Sequence, residues 1–238
     1  MQPFERTIQL IGAEAFERLQ QSRVLLFGVG GVGGWVAETL VRSGVGHLTV
    51  VDYDVVQESN LNRQIAATAG TIGEKKVEAM RSRLLSVIPS ADVQTVHCEY
   101  NEQTYGEFDM KQYDLVIDAI DNVTSKVRLI YEATGSGTPL LSSMGAGRKT
   151  DVSQVRMSEF RKVSGCPLAR AIRQKMKSTG LYEQQKFLCV WSPEQAPAAL
   201  EDKALKGTIA PIVGMFGMML AGEALQALIS KKKRVVPL

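Results

Sequence analysis

Asn60, Asn62, Arg63 and Gln64 crowd into the stretch "VDYDVVQESNLNRQ" (51–64). Amides and a guanidinium set this close together suit the neutralisation of charge developing on a displaced pyrophosphate. A redox site has little use for them. Ahead of them lies a glycine-rich turn, with Gly28, Gly30, Gly31, Gly33 and Gly34 in "LLFGVGGVGGWVAETL" (25–40). Glycines in such a turn remove side chains so that the amino end of a helix can face a phosphate. Asp52 ends the next apolar run, where it is placed to accept from ribose hydroxyls. The turn and the acid alone fit a nicotinamide, a flavin or ATP equally well. Lys75 and Lys76 then open "EKKVEAM" (74–80). Two cations there oppose the helix dipole by roughly a few tenths of a kcal/mol, and a bound polyphosphate would reverse that sign. Asp118 and Asp121 follow another apolar run in "VIDAIDN" (116–122). A carboxylate at that place can hold Mg2+ through oxygen ligands while the ion bridges phosphates. Helix capping by Asp121 is the competing reading.

These groups need a frame, and the first half supplies one. "RVLLFG" (23–28), "HLTVVD" (47–52), "DVQTVHC" (92–98), "YDLVIDAI" (113–120) and "PLLSSM" (139–144) read as buried strands. Helices stand between them: Trp35 to Ser43, stopped by Gly44; 74–89, with Val77, Met80 and Leu84 on one stripe and Pro89 at its end; and Val123 to Thr134. The alternation predicts an α/β fold, a Rossmann-like, mostly parallel sheet with helices on both faces. Ligands on such sheets sit beyond the carboxyl ends of the strands, where the strand order reverses.

The second half changes character. "DVSQVRMSEF" (151–160) alternates like a half-exposed strand, "CPLARAIRQKMKSTG" (166–180) reads as a basic helix ended by Gly180, and "KFLCVWS" (186–192) is strand-like. "PEQAPAALEDKALKG" (193–207) reads as a mobile loop. "GTIAPIVGMFGMMLAGEALQALI" (207–229) is uncharged only from Gly207 to Gly222. A membrane span needs about 20 apolar residues, so a buried helix is expected and no integral membrane association. The expected organisation is one domain over 1–238. Its nucleotide-binding core is 1–147, and 148–238 is a C-terminal elaboration that carries substrate specificity.

Net charge is only +3 over 238 residues, so no whole-chain field announces nucleic acid. Basic residues concentrate in "ARAIRQKMK" (169–177) and "KKKR" (231–234), and solvated faces are the ordinary reading of such runs. Cys98, Cys166 and Cys189 stand far apart without a CxxC pair, against structural zinc and against a disulfide framework. A reducing compartment fits, and "MQPFERTIQL" has no apolar signal core, so a cytoplasmic location is expected. Cys189, inside "FLCVW", reads as a buried structural cysteine; Cys166, beside Pro167 at a helix start, is better placed for reactivity.

GxGGxG, DxDxVxxSNLNRQ, IGxxK and DAIDN occur in this order. Over residues 4 to about 147 the chain resembles the ThiF-type adenylyltransferase superfamily of the ubiquitin-activating enzymes. Bacterial members activate the sulfur carriers of thiamine and molybdopterin synthesis. The resemblance implies that a carboxylate attacks the α-phosphate of ATP, giving an acyl-adenylate and pyrophosphate. Gly28, Gly30, Gly31 and Gly33 would line the nucleotide loop, with Asp52 on the ribose and Asp54 in the same set. Asn60, Arg63, Gln64 and Lys76 would bind the phosphates, and Asp121 would hold Mg2+. "FERTIQLIG" resembles the segment whose arginine reaches into a partner's ATP site. Arg6 matches it, so a homodimer is implied in which Arg63, Asp121 and Arg6 serve catalysis.

"GAGRKTDVSQVRMSEF", "PLARAIRQKMKSTG", "VWSPEQ" and "KGTIAPIVGMFGMMLAGEAL" are similar to the branch that cyclises threonylcarbamoyladenosine in transfer RNA. There the threonine carboxylate would take AMP from ATP, and the neighbouring carbamoyl group would expel it. Holding an anticodon stem-loop requires phosphate contacts. Arg148, Lys149, Arg170, Arg173, Lys175, Lys177 and the 231–234 block are candidates by charge clustering. Some members of the branch carry a cysteine before the last apolar helix. Here "KGTIAP" stands there, which speaks against a thioester route; direct ring closure needs no enzyme nucleophile. Two other readings remain. An adenylyltransferase for the Gly-Gly tail of a small sulfur-carrier protein, with a sulfur-transfer partner, is weakened by the absent CxxC pairs. A nucleotide-holding module without turnover is weakened by Arg63 and Asp121.

Overall fold

Strand β1 (Arg23–Phe27) shows both faces of the sheet in five residues. Val24 and Leu26 enter one apolar cluster, Leu25 and Phe27 the other. β4 (Leu115–Asp118) repeats this, sending Leu115 and Ile117 one way and Val116 the other. β4 is buried from end to end and β1 from Val24 onward, as a sheet covered on two sides requires. The computed structural model describes residues 3–195 and 207–230.

Seven strands form one sheet in the order β3-β2-β1-β4-β5-β7-β6. Besides β1 and β4 these are β2 (His47–Val51), β3 (Asp92–Val96), β5 (Leu140–Ser143), β6 (Arg156–Glu159) and β7 (Leu188–Trp191). All neighbours are parallel except β6 and β7, which pair antiparallel with Arg156 opposite Trp191. The order reverses between β1 and β4.

One face is covered by α2 (Ala13–Gln21), α3 (Gly31–Ser43), α4 (Lys76–Val87) and α7 (Ala210–Ile229), with α1 (Glu5–Ile11) packed on α2. The other face carries α5 (Val123–Ser136) and α6 (Pro167–Thr179). Gly44 and Gly180 end α3 and α6 in the left-handed region, as their sequence positions predict. The two N-terminal helices are additional to the elements read from sequence. In α2 the buried stripe is only Ala15, Phe16 and Leu19, too short to stand out by periodicity.

Two expectations change. The stretch 151–160 is a strand only from Arg156, because Asp151 takes Ser153 N and bends 152–154 into a 3-10 turn. α7 is long and apolar enough to cross a membrane, yet it is neither buried all round nor polar on its outer side. It packs along α3 with Ile212, Phe216, Leu220 and Ala224 wholly buried, while Met215 and Met218 stand exposed. Burying Phe216 alone contributes about 1.5–3 kcal/mol. The Arg18 guanidinium donates to Ile229 O at 3.1 and 2.9 Å, closing the carboxyl end of α7.

Candidate active site

At the point where the strand order reverses, the turns after β1 and β4 touch. Gly28 has φ +86, and a Cβ there would lie 2.9 Å from Ala119 O. A Cβ on Gly33 would collide with Gly28 O, so α3 can start against the turn only because both residues are glycine. Gly30 is the N-cap of α3 and no side chain caps it. The first-turn amides therefore remain for a ligand at the carboxyl edge of the sheet. Asp52 fixes this turn to the end of β2: Oδ2 accepts from Val29 N at 2.8 Å and Oδ1 from Asp54 N at 2.9 Å. Each carboxylate oxygen has a further lone pair for a ribose hydroxyl.

The phosphate-side candidates follow immediately. Asn60 is buried and its Oδ1 accepts from Gln57 N, shaping the 3-10 turn Glu58–Asn60. Gln64 is buried beside the glycine turn, its Nε2 3.7 Å from where a Gly30 Cβ would stand. Arg63 donates from Nη1 to Ser59 O at 2.7 Å and to Asn62 Oδ1 at 2.9 Å, both neutral acceptors. Lys76 is the first residue of α4, and its Nζ lies 2.6 Å from Asp54 Oδ2. Asp54 thus offsets the conflict between that lysine and the helix dipole. Lys75, the N-cap, stays exposed. A Cβ on Gly31 would stand 3.2 Å from the Val213 side chain of α7, so that helix forms one wall of the turn.

The acid side corrects the sequence reading. Asp118 is wholly buried, where Lys126 Nζ meets its Oδ2 at 2.8 Å and Ser142 Oγ donates to the same oxygen at 2.7 Å. Burial is the largest influence and pushes its carboxyl up, against the pull of Lys126, Ser142 and the Ile120 amide. A carboxylate so enclosed is not a metal ligand. Capping by Asp121 is also overturned: α5 is capped by Asn122, whose Oδ1 accepts from Thr124 N and Ser125 N. Asp121 is exposed at the end of the β4 turn. Tyr53 senses it, its hydroxyl pushed up chiefly by Asp54, then by burial, Glu99, Asp121 and Asp52. Asp52 and Asp54 follow β2 and Asp121 follows β4, the two strands that flank β1. Among the described residues no three His, Cys, Asp or Glu form a metal cage. Mg2+ commonly takes one or two carboxylates plus substrate phosphates, so a single exposed Asp121 fits that ion.

Sequence reasoning missed Lys126, Ser142 and Tyr53. Lys126 left a signal: it stands three, four and seven residues before Leu129, Ile130 and Ala133, on the buried stripe of α5.

Beyond β5 the second half folds onto this edge. The Lys149 ammonium is buried and donates to Glu194 O at 2.9 Å, and burial pushes its amine down. Glu194 accepts from Thr150 N, Thr150 Oγ1 and Asp151 N. Arg148 N donates to Gly207 O, and Asn62 Nδ2 to Thr208 O. The lead into α7 therefore touches the turn that carries Arg63. Arg173 donates to Phe160 O and Val163 O and lies over the Phe160 ring. Lys149 and Arg173 are thus framework residues, a correction to their expected place on an RNA-facing surface. Arg170 and Lys177 remain exposed on α6, and Lys175 is half-buried. The 231–234 block and most of the expected 193–207 loop lie outside the described residues. Within that loop, Glu194 is held in place by the hydrogen bonds above.

Cys166, better placed than Cys189 for reactivity by sequence, is 3% exposed and so is shielded as well. Cys189 is buried, its thiol pushed up to about 12 by burial. Arg6 stands exposed on α1, and among the described residues no hydrogen bond or ion pair joins it to the other candidates. A cavity of about 700 Å³ opens at the opposite edge of the sheet, between Arg18, Tyr113, Thr138 and Ser230. None of the candidate residues lines it, so the chemistry of the side chains locates the site better than concavity does.

Known proteins match this chain over nearly its whole length. The family model described as "ThiF family" matches residues 4–237. A tRNA threonylcarbamoyladenosine dehydratase from Bacillus subtilis (strain 168) is 36% identical over 203 residues, 85% of this chain and 79% of that protein. The Escherichia coli (strain K12) protein of the same description is 29% identical over 256 residues, covering 98% and 96%. The crystal structure of the E. coli dehydratase in complex with ATP superposes with a TM-score of 0.88 at 30% identity, over 96% of this chain and 94% of that one.

Proposed function

The chain belongs to the ThiF family, and from that membership we propose that it is an ATP-dependent enzyme cyclising threonylcarbamoyladenosine in transfer RNA. The observation that carries this reading is the extent of the likeness: dehydratases match through the second half as well as through the nucleotide core.

Asp52 receives the ribose, and the amides opening α3 face the phosphates. Arg63 exchanges its neutral partners for phosphate oxygens, which form stronger, charge-assisted bonds. Asn60, Gln64 and Lys76 complete that side. Asp121 would hold Mg2+, which would neutralise phosphate charge. The threonine carboxylate attacks the α-phosphorus; the bond to the β-phosphate oxygen breaks and pyrophosphate leaves. The carbamoyl group then attacks the activated carbonyl and AMP departs with the carboxylate oxygen, so the nucleoside loses one water overall. No enzyme thiol takes part, in keeping with the burial of Cys166 and Cys189.

In this reading 148–238 sets substrate specificity, with Arg170 and Lys177 as RNA contacts, and Arg6 completes the site of a second subunit in a homodimer. Three unpaired thiols suit the cytoplasm. No step calls for a sulfur-transfer partner.

The test is direct. The purified protein, ATP and Mg2+ are incubated with transfer RNA bearing the linear modification, and the nucleosides are weighed by mass spectrometry. Loss of one water is expected. An unchanged mass, together with pyrophosphate exchange driven by a small carrier protein ending in Gly-Gly, would overturn the reading.

A further inference from the structure

We propose that Lys126 is a positioning residue for this reaction: with Asp118 and Ser142 it fixes the turn that presents Asp121. The inference rests on the role given to Asp121 above. Its basis is the hydrogen bonding of Ile120, the residue before that acid. Ile120 N donates to Asp118 Oδ1 at 3.2 Å, and Ile120 O accepts from Lys126 Nζ at 2.9 Å. The ion pair therefore grips both polar groups of one peptide residue. Ala119 N donates to Phe27 O at 2.8 Å, and Asn122 caps α5. The turn is pinned on both sides of Asp121, while the Asp121 side chain itself stays exposed.

Stability alone explains this arrangement poorly. Asp118 and Lys126 are both wholly buried. Taking two charges out of water costs most of what their attraction returns, and apolar residues of similar volume are often as stable or more so. What the pair supplies is directional hydrogen bonding to the turn. A Cβ at Gly28 would lie 2.9 Å from Ala119 O, so the glycine turn packs directly against the turn whose next residue, Ile120, these side chains hold.

The discriminating variant replaces both charges at once, Asp118→Leu with Lys126→Met. Thermal unfolding reports whether it folds, and ATP binding is titrated calorimetrically at increasing Mg2+. If the pair positions Asp121, the variant unfolds near the parent's Tm, but the Mg2+ needed for half-maximal ATP binding rises about tenfold. Amide exchange in the peptide over 117–122 accelerates with it. A folded variant with the parent's Mg2+ requirement and the parent's exchange would overturn the proposal. Ser142→Ala keeps the ion pair and removes one donor to Asp118. If the double variant does not fold, faster exchange confined to 117–122 in Ser142→Ala supports the positioning role, and parental exchange there overturns it. Both readouts omit RNA, so failure of the dehydration reading leaves them standing.

Discussion

Glu194 ties the stretch after β7 to the backbone at Thr150 and Asp151 through one carboxylate, and its ionisation has a measurable sign. Burial pushes its carboxyl up, but the amides of Asp151 and Thr150, the Thr150 hydroxyl and Lys149 outweigh that and leave it below the ordinary 4.5. The unfolded chain then binds the proton more readily than the folded one. The stabilisation is complete above pH 4.5 and is lost as pH falls through the lower folded value. Glu194→Gln should therefore lower Tm at neutral pH, and its difference from the parent should shrink as pH is taken below 4.5. An equal difference at every pH would show that the carboxylate charge contributes nothing. At this scale the sequence revealed best the neighbourhood of the end of β2, where Asp52 meets the glycine turn at Val29 N and Lys76 meets Asp54. It misled where two charges are buried together. Asp118 has the spacing of a ligand, and only the fold reveals that Lys126, eight positions on, reaches back to it.

Among the elements, the β1–turn–α3 unit is the most sharply specified. Gly33→Ala places a methyl group on Gly28 O, an overpacking that backbone atoms cannot evade. It should cost about 3 kcal/mol, or roughly 6–12 °C in Tm. Gly30→Ala meets only Gln64 Nε2 at 3.7 Å. It should cost about 1 kcal/mol at the N-cap while raising KM for ATP severalfold. Equal Tm values for the two variants would mean that the turn is looser than its geometry indicates. Strands β1, β2, β4 and β5 were legible because both their faces are buried and each run is bounded by glycine, proline or a polar turn. The outer elements were less so. β6 is a four-residue edge strand whose alternation continues into a 3-10 turn. The outward face of α7 is apolar, which no periodicity marks as exposed.

For the molecule as a whole, the homodimer reading predicts complementation. Arg6→Ala and Asp121→Ala chains, each inactive alone, are refolded together. Random pairing puts one intact site in half of the dimers, so about a quarter of the parental activity should return. No recovery, once mixed dimers are verified, would place Arg6 outside the partner's site. A last consequence concerns synthesis. The Arg18 side chain binds Ile229, 211 positions away, and Gly31 waits for Val213 to become its wall. On the ribosome the glycine turn and α3 emerge early, with the apolar side of α3 bare, and stay so until almost all of this sequence has been translated. Contacts that far apart form late and leave oily surface open meanwhile. Nascent chains arrested before α7 should bind chaperones and fail to hold ATP: the nucleotide pocket begins with the first strand and is finished only by the last helix.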